Sequence, residues 1–97
     1  DIEMYNMTLK EFCDELEDKL NDLNNYRKVK DCDNYSILVH SLKSEARYIG
    51  CNALADMSYE HELAAKNNNI DFINNNYSKL KMESIKVKDT IKEYLKK

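Results

Sequence analysis

Proline is absent from this chain of 97 residues, and glycine occurs only once, at Gly50. Sheets need tight turns, and tight turns depend largely on these two residues. Their near absence favours long helices with short connections, in which asparagine clusters such as Asn24–Asn25 and Asn67–Asn69 mark breaks. A second hydrophobic core would need a longer chain, so residues 1–97 are predicted to form a single domain.

Apolar periodicity divides the chain into four amphipathic segments. Asp31 or Asp33 can cap the start of the second segment, and Gly50 suits the left-handed residue just beyond its end. The first stripe runs from Tyr5 to Leu23 and fades through Asn24 to Lys30. The second segment starts near Asp31 or Asp33 and stops at Gly50, the third runs from about Asn52 to Ala65, and the fourth starts after Asn69 and runs to the end of the chain. The apolar stripe of the fourth segment is irregular between Lys81 and Lys88. Four such helices predict an all-α fold, an antiparallel four-helix bundle.

Charge and composition argue against several classes of protein. The formal net charge is −3, with lysines and acidic residues mixed along the chain, so nucleic-acid binding is not expected. No apolar run reaches the roughly 18 residues of a membrane span, and no glycine-rich phosphate loop is present for ATP. Cys13, Cys32 and Cys51 lack a C-x-x-C pair, which favours free thiols in a reducing cytoplasm. The first residue, Asp1, is consistent with a piece of a longer protein.

His40 stands out because it lies opposite the apolar stripe of the second segment. At 100° per residue it is about 160–200° from Leu38, Leu42 and Ile49. An imidazole is a nucleophile near neutral pH, and cations at i+3 and i+7 can offset the charge of a phosphoryl group on it. From geometry alone, an ordinary surface histidine beside ordinary cations remains the simpler interpretation. The residues within about 60° of His40 on the helical wheel are Ser36, Lys43, Ser44 and Arg47.

His61 has a different predicted position. It falls between Met57 and Ala64 on the apolar stripe of the third segment, so we expect an inward-facing, hydrogen-bonded structural histidine. A metal site shared with His40 would need both rings to converge, and no E-x-x-H pair of the di-iron bundle type is present. No metal site is therefore predicted.

The run from His40 to Cys51, HSLKSEARYIGC, resembles the signature H-x-L-K-[GS]-x-[AS]-x-x-[IL]-G-[AC] of histidine-containing phosphotransfer domains. The resemblance extends over nearly the whole chain. Further positions that fit the family pattern are Phe12, Leu16, Leu20, Asp31, Asn34, Tyr35, Val39, Leu54, Ala55, Met57, Glu62–Lys66 and Asn69–Ile73.

This resemblance implies a phosphorelay intermediate rather than an enzyme with its own ATP site. His40 would accept a phosphoryl group from the phospho-aspartate of one receiver domain and pass it to another, and Lys43 would steady the phosphate. The expected partners are response-regulator receivers and, in a hybrid sensor, a histidine kinase in the same polypeptide. We expect a cytoplasmic monomer that needs no cofactor of its own, since the Mg²⁺ would belong to the receiver. The implied receiver-docking face comprises Ser36, Ile37, Ser44 and Arg47.

Two departures and three alternatives accompany the resemblance. Ser44 stands where many members have glycine, and His61 where leucine is usual. The dimerisation domain of a histidine kinase is disfavoured, because Ser41 replaces its usual acidic residue and the chain has no proline. A chemotaxis-type phosphotransfer domain, labelled directly by an ATP-binding domain, remains open. So does a binding-only bundle, although the presence of both His40 and Lys43 argues against it.

Overall fold

Four α-helices form nearly all of the computed structural model, which describes residues 1–97. They are α1 (Ile2–Lys28), α2 (Cys32–Tyr48), α3 (Asn52–Lys66) and α4 (Ile70–Leu95). The predicted all-α fold is confirmed. Asp31, not Asp33, caps α2 by accepting a hydrogen bond from the backbone N–H of Asn34 at 3.1 Å, and Asn69 caps α4 in the same way.

The helices pack in a ring in which each contacts the two next to it, so the fold is a four-helix bundle of 41 × 18 × 18 Å. Neighbouring helices run antiparallel. At one end Arg27 of α1 bonds Asn74 of α4 at 3.1 Å, whereas Cys13 lies beside the carbonyl of Lys88 further along. Twenty-one buried apolar residues drawn from all four helices form one core. The most extensive packing is between α2 and α3, which carry the residues of interest.

The same local structure joins every pair of consecutive helices. The middle residue of each connection has a positive φ: 60° at Lys30, 84° at Gly50 and 55° at Asn68. Each of these N–H groups bonds a carbonyl three residues earlier, and the next N–H bonds one five residues earlier, which is the Schellman pattern. The residue after the left-handed one is already the N-cap of the next helix. The five-residue bonds, all 2.8 Å, are Asp31 N to Tyr26 O, Cys51 N to Ala46 O, and Asn69 N to Ala64 O.

Two local expectations need correction or completion. The predicted break at Asn24–Asn25 is wrong, because α1 continues to Lys28. Leu23 is fully buried and Tyr26 packs against the core, so continued burial outweighs the low helix propensity of asparagine. In α4 the irregular stripe is completed by Ser84, which is fully buried and donates its hydroxyl to the carbonyl of Leu80 at 2.8 Å.

Candidate functional site

His40 lies at the midpoint of α2, on the side that faces α3. Its side chain is 56% exposed, as its place opposite the apolar stripe predicts. The imidazole is nevertheless not free, because Nδ1 lies 2.8 Å from Oε2 of Glu62 on α3. The predicted outward position of His40 is therefore confirmed. Its hydrogen-bond partner, Glu62, lies on another helix and could not be predicted from the pattern of α2 alone.

Glu62 is a buried carboxylate that accepts hydrogen bonds from three side chains. Oε1 accepts from Nζ of Lys43 at 2.7 Å, and Oε2 accepts from Nζ of Lys66 at 2.9 Å as well as from His40. Burial alone would raise the pKa of Glu62, but hydrogen bonds from Lys43, Lys66 and His40 lower it to about 2. Glu62 is therefore ionised throughout the physiological range.

The charge on Glu62 fixes the tautomer of His40. An ionised carboxylate can only accept hydrogen bonds, so Nδ1 of His40 must carry the proton that lies between the two groups. In the neutral imidazole the other nitrogen, Nε2, then holds the free lone pair. The site thus presents one defined nucleophilic atom on a side chain that is more than half exposed.

The helical wheel predicts that Lys43 lies on the open surface beside His40. The structure shows otherwise. The Lys43 side chain is only 13% exposed, and its ammonium is held between Glu62 and the ring of Tyr59, whose centroid is 5.1 Å away. The cation–π contact and the buried ion pair fix the ammonium one turn beyond His40. Lys43 is therefore a packed part of the site.

The surface around His40 is covered on one flank and open on the other. Ser36 was expected on the exposed docking face, but it is buried. On the wheel, Ser36 and Lys43 lie on the same side of His40, which is the side that α3 covers. Ile37 and Ser44 lie on the opposite side and are exposed, as is Arg47, and Ile37 is 70% accessible.

His61 faces the core, as predicted. Its Nδ1 shares a hydrogen bond of 2.8 Å with the hydroxyl of Tyr35, and Phe72 meets the imidazole edge-on. Burial lowers the pKa of His61 to about 4, so the ring is neutral near pH 7. The two histidines of the chain therefore have separate partners and separate environments.

The comparisons with known proteins identify the family of this bundle. The family model described as the Hpt domain matches residues 7–91, a range that includes His40, Glu62 and the two lysines that bond Glu62. The chain belongs to the Hpt domain family. A search of curated proteins and a search of solved structures gave no match.

Membership of the Hpt domain family indicates the general activity of the chain. Hpt domains are phosphocarrier modules that take part in histidine phosphotransfer within phosphorelays and interact with receiver domains of response regulators. No helix of this Hpt domain is long and apolar enough to cross a membrane. The family resemblance drawn from the sequence is thus confirmed over most of the chain.

Glu62 and Lys66 are the parts of the site that sequence reasoning missed. The sequence pattern includes both only as members of the Glu62–Lys66 run that fits the family. A signal was present, because Glu62 shares the buried side of α3 with Ala55, Ser58 and Ala65 at helical spacing. A carboxylate in such a position needs donors, and a lysine four residues later is a natural one. The contact of Glu62 with its third partner, His40, depends on how α2 and α3 pack, which the sequence pattern does not give.

Proposed function

We propose that this Hpt domain is a phosphorelay intermediate in which Nε2 of His40 accepts a phosphoryl group from a receiver phospho-aspartate and passes it to a second receiver. The observation that carries the proposal is the hydrogen bond between Nδ1 of His40 and ionised Glu62. It leaves the Nε2 lone pair available on an exposed side chain.

The transfer needs no proton movement at the attacking atom. The lone pair of Nε2 forms the P–N bond while the P–O bond to the donor aspartate breaks, and its electron pair returns to the aspartate carboxylate. The ring keeps its Nδ1 proton, and the positive charge it gains faces Glu62. In the onward step the acceptor carboxylate attacks phosphorus and the P–N pair returns to Nε2.

Because the site is open, we expect the receiver and this domain to contribute different groups to the transfer. His40 projects from a helix without an enclosing pocket, so the receiver has to supply the Mg²⁺ and most of the stabilisation of the transition-state charge. Lys43, fixed one turn away, contributes a positive charge near the phosphoryl group. Ile37, Ser44 and Arg47 form the proposed docking face, whereas Ser36 is buried on the flank of His40 that α3 covers.

The remaining features of the proposal concern the setting of the domain. We place a monomeric domain in the cytoplasm, where a reducing environment suits three free cysteines. The receiver that donates phosphate can lie in the same polypeptide as a hybrid histidine kinase or in a separate protein. In either case the docking face and the nucleophile are the same.

The two histidines of the chain allow a matched test. With a phosphorylated receiver as donor, His40→Gln should abolish labelling, whereas His61→Leu should remain labelled because its ring lies in the core. Circular dichroism should show helical content in both variants. The label should be lost in acid and stable in alkali, unlike an aspartyl phosphate. Labelling that persists in His40→Gln would refute the assignment.

A further inference from the structure

The network around Glu62 contains one more positive charge than the carboxylate needs. Lys43 and Lys66 both bond Glu62, and His40 donates to it from Nδ1. One ammonium is enough to neutralise the carboxylate. The second is therefore a surplus cation beside the imidazole, and a phosphoryl group on Nε2 would add about two negative charges there.

The two lysines differ in how free they are to move. The Lys43 side chain is 13% exposed and is held by Tyr59 and by Oε1 of Glu62. Moving it would leave Glu62, whose side chain is 3% exposed, with a buried charge and no cation on that oxygen. The Lys66 side chain is 60% exposed at the last turn of α3. Moving it breaks one ion pair in which the lysine is solvent-exposed, and the buried carboxylate of Glu62 keeps Lys43 as its cation.

In the antiparallel pair of α2 and α3, the side chain of Lys66 points towards the imidazole of His40. Nζ of Lys66 and Nδ1 of His40 bond the same oxygen, Oε2 of Glu62. Side chains of a helix lean towards its N-terminus, and α2 and α3 are antiparallel, so the His40 ring and the Lys66 side chain lean towards each other. The ammonium of Lys66 therefore starts beside the imidazole, on a long and largely exposed side chain that can change rotamer towards Nε2.

We infer that Lys66 is the cation that responds to phosphorylation: it leaves Glu62 and pairs with the phosphoryl oxygens, while Lys43 stays on Glu62 and keeps the tautomer of His40. The inference rests on the proposed function of His40 and adds a positioning residue to it. No bond is made or broken at Lys66, whose ammonium keeps its protons. Its effect is to stabilise phosphorylated His40 relative to the receiver phospho-aspartate.

The first test is the equilibrium of phosphotransfer between this domain and a phosphorylated receiver. Lys66→Ala should lower the ratio of phosphohistidine to phospho-aspartate by about two- to fivefold, the range of an exposed ion pair, and the loss should shrink at high salt. Lys66→Arg should restore most of the ratio. Lys81→Ala removes an equal charge from the groove between α1 and α4 and should leave the ratio unchanged.

A second measurement separates this role from a structural one. With phosphoramidate as a chemical donor, the side-chain NMR signals of Lys66 should shift on phosphorylation of His40, and those of Lys43 should shift less. The imidazole nitrogen shifts of the unphosphorylated protein should show the same tautomer in wild type and in Lys66→Ala.

The outcomes distinguish the two proposals. A Lys66→Ala ratio equal to that of Lys81→Ala, or an Arg variant no better than the Ala variant, would overturn the role of Lys66. So would a larger shift at Lys43 than at Lys66. Absence of labelling of the wild-type chain by any receiver would instead refute the relay function, whatever the phosphoramidate experiment gave.

Discussion

Glu62 links the site to the stability of the fold through its ionisation. Its pKa lies near 2 in the folded protein against an ordinary 4.5, because the hydrogen bonds from Lys43, Lys66 and His40 more than offset its burial. A carboxyl with a lowered pKa stabilises the folded state fully above its unfolded pKa. That contribution, about 3 kcal/mol, is lost as the pH falls from 4.5 through 2.

His61 produces a second loss of stability in a different pH window. Burial lowers its pKa from 6.5 to about 4, so between these values the unfolded chain binds a proton that the folded chain does not. Stability therefore falls by about 3 kcal/mol as the pH drops from 6.5 to 4. The two residues are neighbours in sequence, yet their windows overlap only slightly.

Urea unfolding between pH 7 and pH 2.5 should resolve the two windows. His61→Leu should reduce the decrease between pH 6.5 and 4, and Glu62→Gln should reduce the decrease below pH 4.5. Because the leucine variant leaves the hydroxyl of Tyr35 unpaired, His61→Leu with Tyr35→Phe is the better form of the test. An unchanged slope between pH 6.5 and 4 in that double variant would contradict the role given to His61.

At the scale of the secondary-structure elements, the connections between the helices depend on particular residues. All three require a left-handed middle residue, but only one of them has glycine there. A Cβ built on Gly50 meets no atom within 4 Å, so Gly50→Ala would cost backbone strain alone. Lys30 already bears that strain at φ 60°.

Exchanging these residues gives paired changes of opposite sign. Gly50→Ala should destabilise the domain by about 1 kcal/mol, and Lys30→Gly should stabilise it by up to about 1 kcal/mol. The gain from Asn68→Gly should be smaller, since asparagine tolerates this conformation better. Differences in the denaturation midpoint at constant m-value would measure all three. A stabilised Gly50→Ala variant would show that the turn does not need glycine.

These same helix ends explain why the fold was predictable and parts of the site were not. Asp31, Gly50 and Asn69 are signals that act within a few residues, so the sequence closely places three helix ends, the start and end of α2 and the start of α4. The covering of Ser36 and Lys43 depends on the flank of α2 that α3 occupies. A helical wheel places residues around one helix and contains no information about that choice.

At the scale of the whole molecule, the single core makes α4 a support for the site, although the polar contacts of the site all lie between α2 and α3. Leu80 is fully buried in the middle of α4, whereas Met82 on the same helix is 70% exposed. Leu80→Ala should therefore cost about 2–5 kcal/mol and lower the midpoint of thermal unfolding by roughly 10 °C or more. Met82→Ala should change stability by less than about 0.5 kcal/mol.

Calorimetry of the two variants is the measurement, with labelling of His40 at low temperature as the functional control. The Leu80 variant should still be labelled wherever it remains folded. A similar midpoint for both variants would mean that the core is not shared by all four helices.

The close pairing of α2 with α3 also bears on the order in which the domain assembles. His40, Lys43, Tyr59, Glu62 and Lys66 all belong to one helical hairpin, whose connection is three residues long. Bringing these side chains together requires only a local loop closure, whereas α1 and α4 must join the two ends of the chain. The arrangement that prepares the histidine can therefore form early in folding, before the outer helices complete the core.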